Sequence, residues 1–258
     1  MYLDSHCHLN EERYENCIEE EYKNAINAGV FPLVVIGWDL KSSKKAVAIA
    51  EKYEHIYCAV GFHPENLENV SDEALLEIEK LAKSSQKVIA IGEIGLDHHW
   101  FKDPKDHENQ IVWFVKQIDL ANKLNLPVSI HAREASGDIV KVLKEHPLKR
   151  SGVLHCYSGS VETMKELSIL GFYFGFDGPI TYKNAIEPKE CVKACPIDRI
   201  LSETDSPYLT PVPYRGKQNS PAYIPHIVEE MAKLKEISVE HMVEHIEENF
   251  KRLFLVKP

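Results

Sequence analysis

The chain has 258 residues, 44% of them hydrophobic and 27% charged, with a formal net charge of −10. That suits a globular protein with a large core. No apolar run approaches the ~20 residues of a membrane-spanning helix. Asp4, His6 and His8 interrupt any apolar stretch at the start that a secretory signal would need, so the cytoplasm is the expected location. The acidic balance argues against a protein that coats duplex DNA through its phosphates, which needs a basic face. It leaves room for an enzyme that draws one phosphate into a small cleft, where bound cations set the local field.

Short β-rich runs alternate with longer segments of helical period. In chain order the strands read Tyr2–Cys7, Phe31–Gly37, Ile56–Phe62, Val88–Glu93, Val128–His131, Gly152–Cys156, Phe172–Phe176 and Arg199–Glu203. Most are too apolar to have one wet face, as parallel strands covered by helices are. Between them, Ser71 caps a helix with Ala74 at its third position, and residues 107–125 form a long amphipathic helix stopped before Pro127. After the eighth strand come a Pro-rich loop (207–225) and two helices near 224–235 and 239–254. The pattern predicts an α/β fold, one (β/α)8 TIM barrel over residues 1–258 with extra C-terminal helices. An open doubly wound sheet is the alternative. The six cysteines read as free thiols, with Cys191 and Cys195 as buried helix positions.

Active sites of such barrels lie where strands end. Strand one ends in His6-Cys7-His8, strand three in His63, strand four in Glu93 and then Asp97. Strand five ends in His131 and Arg133, strand six in His155, strand eight in Glu203 and Asp205. The ends at Gly37 and Phe176 offer no such residue. Four of these histidines and two of these carboxylates converging on the barrel axis are costly to bury without a cation, which predicts a metal centre. Residues i and i+2 of a strand face one side ~6–7 Å apart. His6 and His8 can therefore lean onto one ion at ~2.0–2.1 Å, while Cys7 points away and is not a ligand.

The ordered segments DSHCHLN, AVGFHPEN, IGEIGLD, VSIHAREA, LHCYSGS, GPITYKNA and SETDSPYLTPVPYRGKQNSPAYI resemble the TatD family of metal-dependent deoxyribonucleases, within the amidohydrolase-like barrel superfamily. The likeness spans essentially the whole chain. It implies two divalent ions (Mg, Mn or Zn). His6, His8, Glu93 and Asp205 would hold the first, and Glu93, His131 and His155 the second, with Glu93 bridging. GLDHHW departs from the family's more usual tyrosine at His98, which leaves the role of that loop open.

The resemblance implies hydrolysis of DNA phosphodiester bonds, as a 3′-to-5′ exodeoxyribonuclease with DNA ends as substrate. Two ions would activate the attacking water, with Glu93 fixing their spacing and Asp205 orienting that water and taking its proton. Glu203 reads either as a partner for the outer nitrogen of a ligand histidine or as a strand-end charge. His63, Arg133, Ser158 and Arg215 are candidate phosphate donors; Ser160, Lys183 and Lys217 are others, and each also reads as a surface charge or helix cap. Trp100, Tyr157 and Tyr208 can stack on bases or anchor loops. The alternative activity is hydrolysis of another ester or amide at the same centre, including removal of D-amino acids from tRNA. No obligate protein partner is implied, and the expected state is a monomer.

Overall fold

The computed structural model describes residues 1–68 and 70–255. Eight parallel strands form one sheet in sequential order: β1 (Tyr2–Cys7), β2 (Val30–Ile36), β3 (Ile56–Val60), β4 (Val88–Asp97), β5 (Val128–Arg133), β6 (Gly152–Leu154), β7 (Tyr173–Phe176) and β8 (Ile200–Ser202). Sequential order excludes the doubly wound alternative, whose strand order reverses partway. The helices are α1 (Ile18–Asn27), α2 (Leu40–Lys52), α3 (Asp72–Ser84), α4 (Pro104–Leu124), α5 (Ser136–Glu145), α6 (Val161–Ile169), α7 (Ile186–Ala194), α8 (Ile224–Leu234) and α9 (Val239–Phe250). Their apolar faces join the strands in one continuous core. No described helix is long and apolar enough to cross a membrane.

Local signals explain several boundaries. The Ser71 hydroxyl accepts from the Ala74 N–H at 3.2 Å, so α3 begins where its cap predicts. Asp103 caps α4 and Pro104 opens it, three residues earlier than periodicity alone suggests. Asn125, in left-handed geometry at φ 53°, ends it.

Strand ends differ from expectation in two instructive places. β4 runs four residues past Glu93, because its far end pairs with β5, Gly95 opposite His131 and Asp97 opposite Arg133. Gly95 makes that pairing possible: its φ is 141°, and a Cβ there would lie 2.0 Å from the His131 carbonyl oxygen. β6 stops at Leu154, because Cys156 turns into left-handed geometry at φ 42°.

The ring closes between β8 and β1 through side chains and through backbone beyond β8. Ser5 Oγ donates to the Ser202 carbonyl (3.0 Å) and Ser202 Oγ to the Leu3 carbonyl (2.8 Å). The fully buried Asp4 carboxyl accepts from the Thr204 N–H (3.0 Å), from Thr204 Oγ1 (2.6 Å) and from the His6 N–H (3.2 Å). The Asp205 N–H donates to the His6 carbonyl (2.9 Å) and the His8 N–H to the Ser206 carbonyl (2.8 Å). This seam holds both ends of the chain's chemistry in register.

Thr204→Val removes a donor to buried Asp4 without changing shape. It should cost about 1–3 kcal/mol and lower the unfolding midpoint by several degrees in calorimetry; an unchanged midpoint would show that the seam does not depend on this bond.

Candidate metal centre

The carboxylate of Glu93, buried inside β4, is the hub. Its Oε2 faces His6 Nε2 at 3.4 Å and His8 Nε2 at 3.8 Å. Asp205 Oδ1 completes that group, 3.3 Å from His8 Nε2 and 3.7 Å from His6 Nε2, and the two imidazole nitrogens stand 3.2 Å apart. The other oxygen, Oε1, faces His155 Nε2 at 2.7 Å, His131 Nδ1 at 3.0 Å and His63 Nε2 at 3.2 Å. The His6 and His155 rings stack at 3.9 Å, joining the two halves. Four ligands disposed tetrahedrally about an ion at ~2.0–2.1 Å lie about 3.3 Å from one another. The imidazole-to-carboxylate and imidazole-to-imidazole separations of the first group, 3.2 to 3.8 Å, are near that spacing.

The backbone aims these groups. His6 and His8 flank Cys7, whose thiol turns away to donate to the Val34 carbonyl at 3.4 Å. Asp205 adopts φ 52°, a left-handed conformation that aspartate tolerates better than most residues.

Hydrogen-bond partners sort the imidazoles. His8 Nδ1–H donates to the Ile36 carbonyl at 3.2 Å, and His131 Nε2–H donates to Asp97 Oδ2 at 3.0 Å. In the neutral ring the opposite nitrogen is then a bare lone pair. Those lone pairs face Asp205 and Glu93, acceptor against acceptor, which is unfavourable without a cation or proton between them. The donor set therefore fits a divalent metal. His63 is different. Its Nδ1 accepts from the Glu65 N–H at 3.1 Å, so its Nε2 carries the proton and donates to Glu93. His63 is a donor beside the centre, although its position alone groups it with Glu93 and His131.

Electrostatics agree. Burial alone raises the Glu93 carboxyl, but His155, His63 and His131 pull it well below the usual range. Burial opposes a charge on His131, yet the bonds to Asp97 and Glu93 lift it to about 9, so without a metal a proton takes the cation's place. Burial, then neighbouring His155, lowers His6 to about 3. Burial raises Asp205, but His8 outweighs it and the net shift is downward.

The cleft encloses about 630 Å³, lined by the centre together with Glu11, Trp38, Glu65, Trp100, Arg133 and Tyr208. His63 and Arg133 thus reach it as expected. Arg215 does not line it: the side chain is exposed, with its guanidinium 4.1 Å above the Tyr182 ring. Ser158 is exposed over a separate small recess behind His155 and Tyr157, and Ser160 caps α6. Glu203 is fully buried beside His155, but its Oε1 lies 3.7 Å from Nδ1, beyond a hydrogen bond; it accepts from the Cys156 N–H instead. A Cβ on Gly175 would lie 2.0 Å from its Oε2, so that glycine makes its berth. Burial, then Asp177, raises Glu203 well above the usual range. Tyr157 is an anchor, its hydroxyl donating to the Ser160 carbonyl at 2.7 Å. Tyr208 and Trp100 stand exposed on the cleft wall.

Trp38, on the cleft wall, and Asp97 escaped functional assignment from sequence. Trp38 lies just past β2, whose end offered no candidate, and that position was the available signal.

The barrel and the centre at its mouth place the chain among the metal-dependent hydrolases. It belongs to the TatD related DNase family, which it matches over residues 3–255. It is 44% identical to the metal-dependent hydrolase YabD of Bacillus subtilis, covering 99% of this chain and 100% of that one. The metal-dependent hydrolase YcfH of Escherichia coli is 34% identical, over 98% and 95% of the two chains. The crystal structure of YjjV, a TatD homologue from Escherichia coli, matches with a TM-score of 0.93 at 30% identity, over 99% and 98% of the chains.

His131→Ala should lower the metal content measured by elemental analysis, whereas His63→Ala and Cys7→Ser should leave it as in the unmodified protein. Loss of metal on removing His63 would contradict the donor assignment.

Proposed function

We propose that the protein hydrolyses phosphodiester bonds of DNA, working from a 3′ end, at a centre of two divalent ions. The observation that supports this most is the division of Glu93, one oxygen toward His6 and His8 and the other toward His131 and His155. His6, His8, Glu93 and Asp205 would hold one ion, and Glu93, His131 and His155 the other. Magnesium, manganese or zinc fits the mixed imidazole and carboxylate donors. When bound, such ions supply Lewis-acid relief of charge on phosphoryl oxygens and bring the acidity of water into the neutral range.

The chain's own residues do the rest. Asp205 orients the attacking water and accepts its proton; His8 holds the carboxyl low, which keeps it ionised at neutral pH. Glu93 stays ionised at neutral pH for the same kind of reason. Arg133, exposed at the cleft and next to the Trp100 ring at 5.4 Å, offers a bidentate grip on a phosphate. His63 Nε2–H, which donates to Glu93 here, would be released as a further donor for a substrate oxygen if the ions take both Glu93 oxygens. Trp38, Trp100 and Tyr208 give aromatic walls for unstacked bases. Among the described residues, Arg133 is the one lysine or arginine lining the cleft, beside Glu11 and Glu65. That pattern favours a strand end with one engaged phosphate over a long duplex tract. The family's DNase designation supports the same reading. We place the protein in the cytoplasm as a monomer that needs no protein partner.

The test is release of nucleotides from single strands labelled at either end, with Mg²⁺, Mn²⁺ or Zn²⁺. Chelator should abolish it and 3′-blocking should suppress it. Greater turnover of small esters, amides or aminoacyl-tRNA than of DNA, with the metals bound, would overturn the DNA reading in favour of another bond at the same centre. Asp205→Asn should lower kcat by about 10²–10⁴-fold, the range for a lost general base; an unchanged kcat would assign the proton to another group.

A further inference from the structure

Among the described residues, Asp97 lies outside the side-chain groups able to hold an ion, yet it is fully buried and closely partnered. It is the last residue of β4. Gln110 of α4 fixes its backbone from both sides, accepting from the Asp97 N–H at 2.9 Å and donating to its carbonyl at 3.1 Å. The two carboxylate oxygens face different tasks. Oδ2 accepts from His131 Nε2–H at 3.0 Å. Oδ1 accepts from the His99 N–H at 2.8 Å and the Trp100 N–H at 2.9 Å, folding the turn that carries Trp100. Trp100 is 63% exposed on the cleft wall beside Arg133, whose strand partner is Asp97 itself. The contacts form a circuit: Asp97 to His131, along β5 to Arg133, across to Trp100, and back to Asp97.

We infer that Asp97 is a positioning residue that couples the His131 side of the centre to the Trp100–Arg133 wall where substrate binds. One oxygen keeps the His131 lone pair turned toward Glu93. The other holds the Trp100 turn against Arg133. An aspartate suits this because it presents two acceptor oxygens, whereas asparagine presents one. The inference rests on the two-ion reading above.

Asp97→Asn keeps the shape and must give up one partner. Two-site Mn²⁺ titration by calorimetry and amide exchange at His99 and Trp100 read both possibilities on the full chain. If the variant gives up His131, the second ion binds about 10–100-fold more weakly, the cost typical of losing an outer partner of a ligand histidine, while the first binds normally. If it gives up the turn, His99 and Trp100 exchange faster and KM for a DNA end rises with kcat little changed. Either result supports the coupling. Both readouts unchanged would overturn it, and so would equal weakening of both ions, which marks a general folding defect. Should the variant not fold, the zinc-loaded unmodified protein with ¹⁵N-labelled histidine decides. A proton on His131 Nε2 is expected, and one on Nδ1 would overturn the inference. If the unmodified protein binds a single ion, the two-ion reading itself has failed. If it binds two and the variant is indifferent, only the coupling has.

Discussion

One carboxylate organises this molecule. Glu93 is 3% exposed, and five imidazoles converge on its two oxygens. A buried carboxylate is tolerable only when paired. Here the pairing is split between two sides, so the geometry of each histidine cluster is defined against a different oxygen of the same group. The orientation of His8 follows from the Ile36 carbonyl and that of His131 from Asp97, and both leave lone pairs turned inward. A cation resolves the conflict that this creates, and the raised basicity of His131 is its electrostatic trace.

The barrel supplies what such a hub requires. Strands from opposite parts of the chain must end at one place, and parallel order brings all C-terminal ends to one face. The β8–β1 seam then locks Asp205 to His6 and His8 through backbone bonds. Placing so many acids near that seam has a cost. Burial pushes Asp4 up to about 7, and Asp177 and Glu203 well above the usual carboxylate range. Burial shifts these groups upward, whereas the neighbouring imidazoles shift Glu93 and Asp205 downward. Environment, and not residue type, divides the carboxylates into two roles.

Much of this was legible in the sequence because β-branched and aromatic runs mark strands, and ionisable residues directly after them mark a barrel's mouth. The eight strands and their order follow from that pattern. Their ends do not. The extension of β4 depends on its pairing with β5 and on Gly95, and the shortening of β6 on one left-handed residue. The residues that converge on Glu93 could be named from type and position. Their roles could not: both rings carry the proton on Nε2, but His63 turns that nitrogen to Glu93 because its Nδ1 takes a backbone N–H supplied by the fold, whereas His131 turns its bare Nδ1 to Glu93 because Asp97 holds its Nε2–H. Loop cations were the least legible. Arg215 carries the charge a phosphate wants, yet the loop sets it over Tyr182 instead. Asp97 was visible at its strand end, but its two-sided bonding depends on a turn that composition does not specify.

The central claim is that Glu93 bridges two divalent ions. It is tested most directly by anomalous diffraction from crystals of the protein equilibrated with Mn²⁺. The account predicts two manganese peaks about 3.5–4 Å apart, one beside His6, His8 and Asp205, the other beside His131 and His155, with a Glu93 oxygen on each. A single peak, or two peaks that Glu93 does not join, would contradict it.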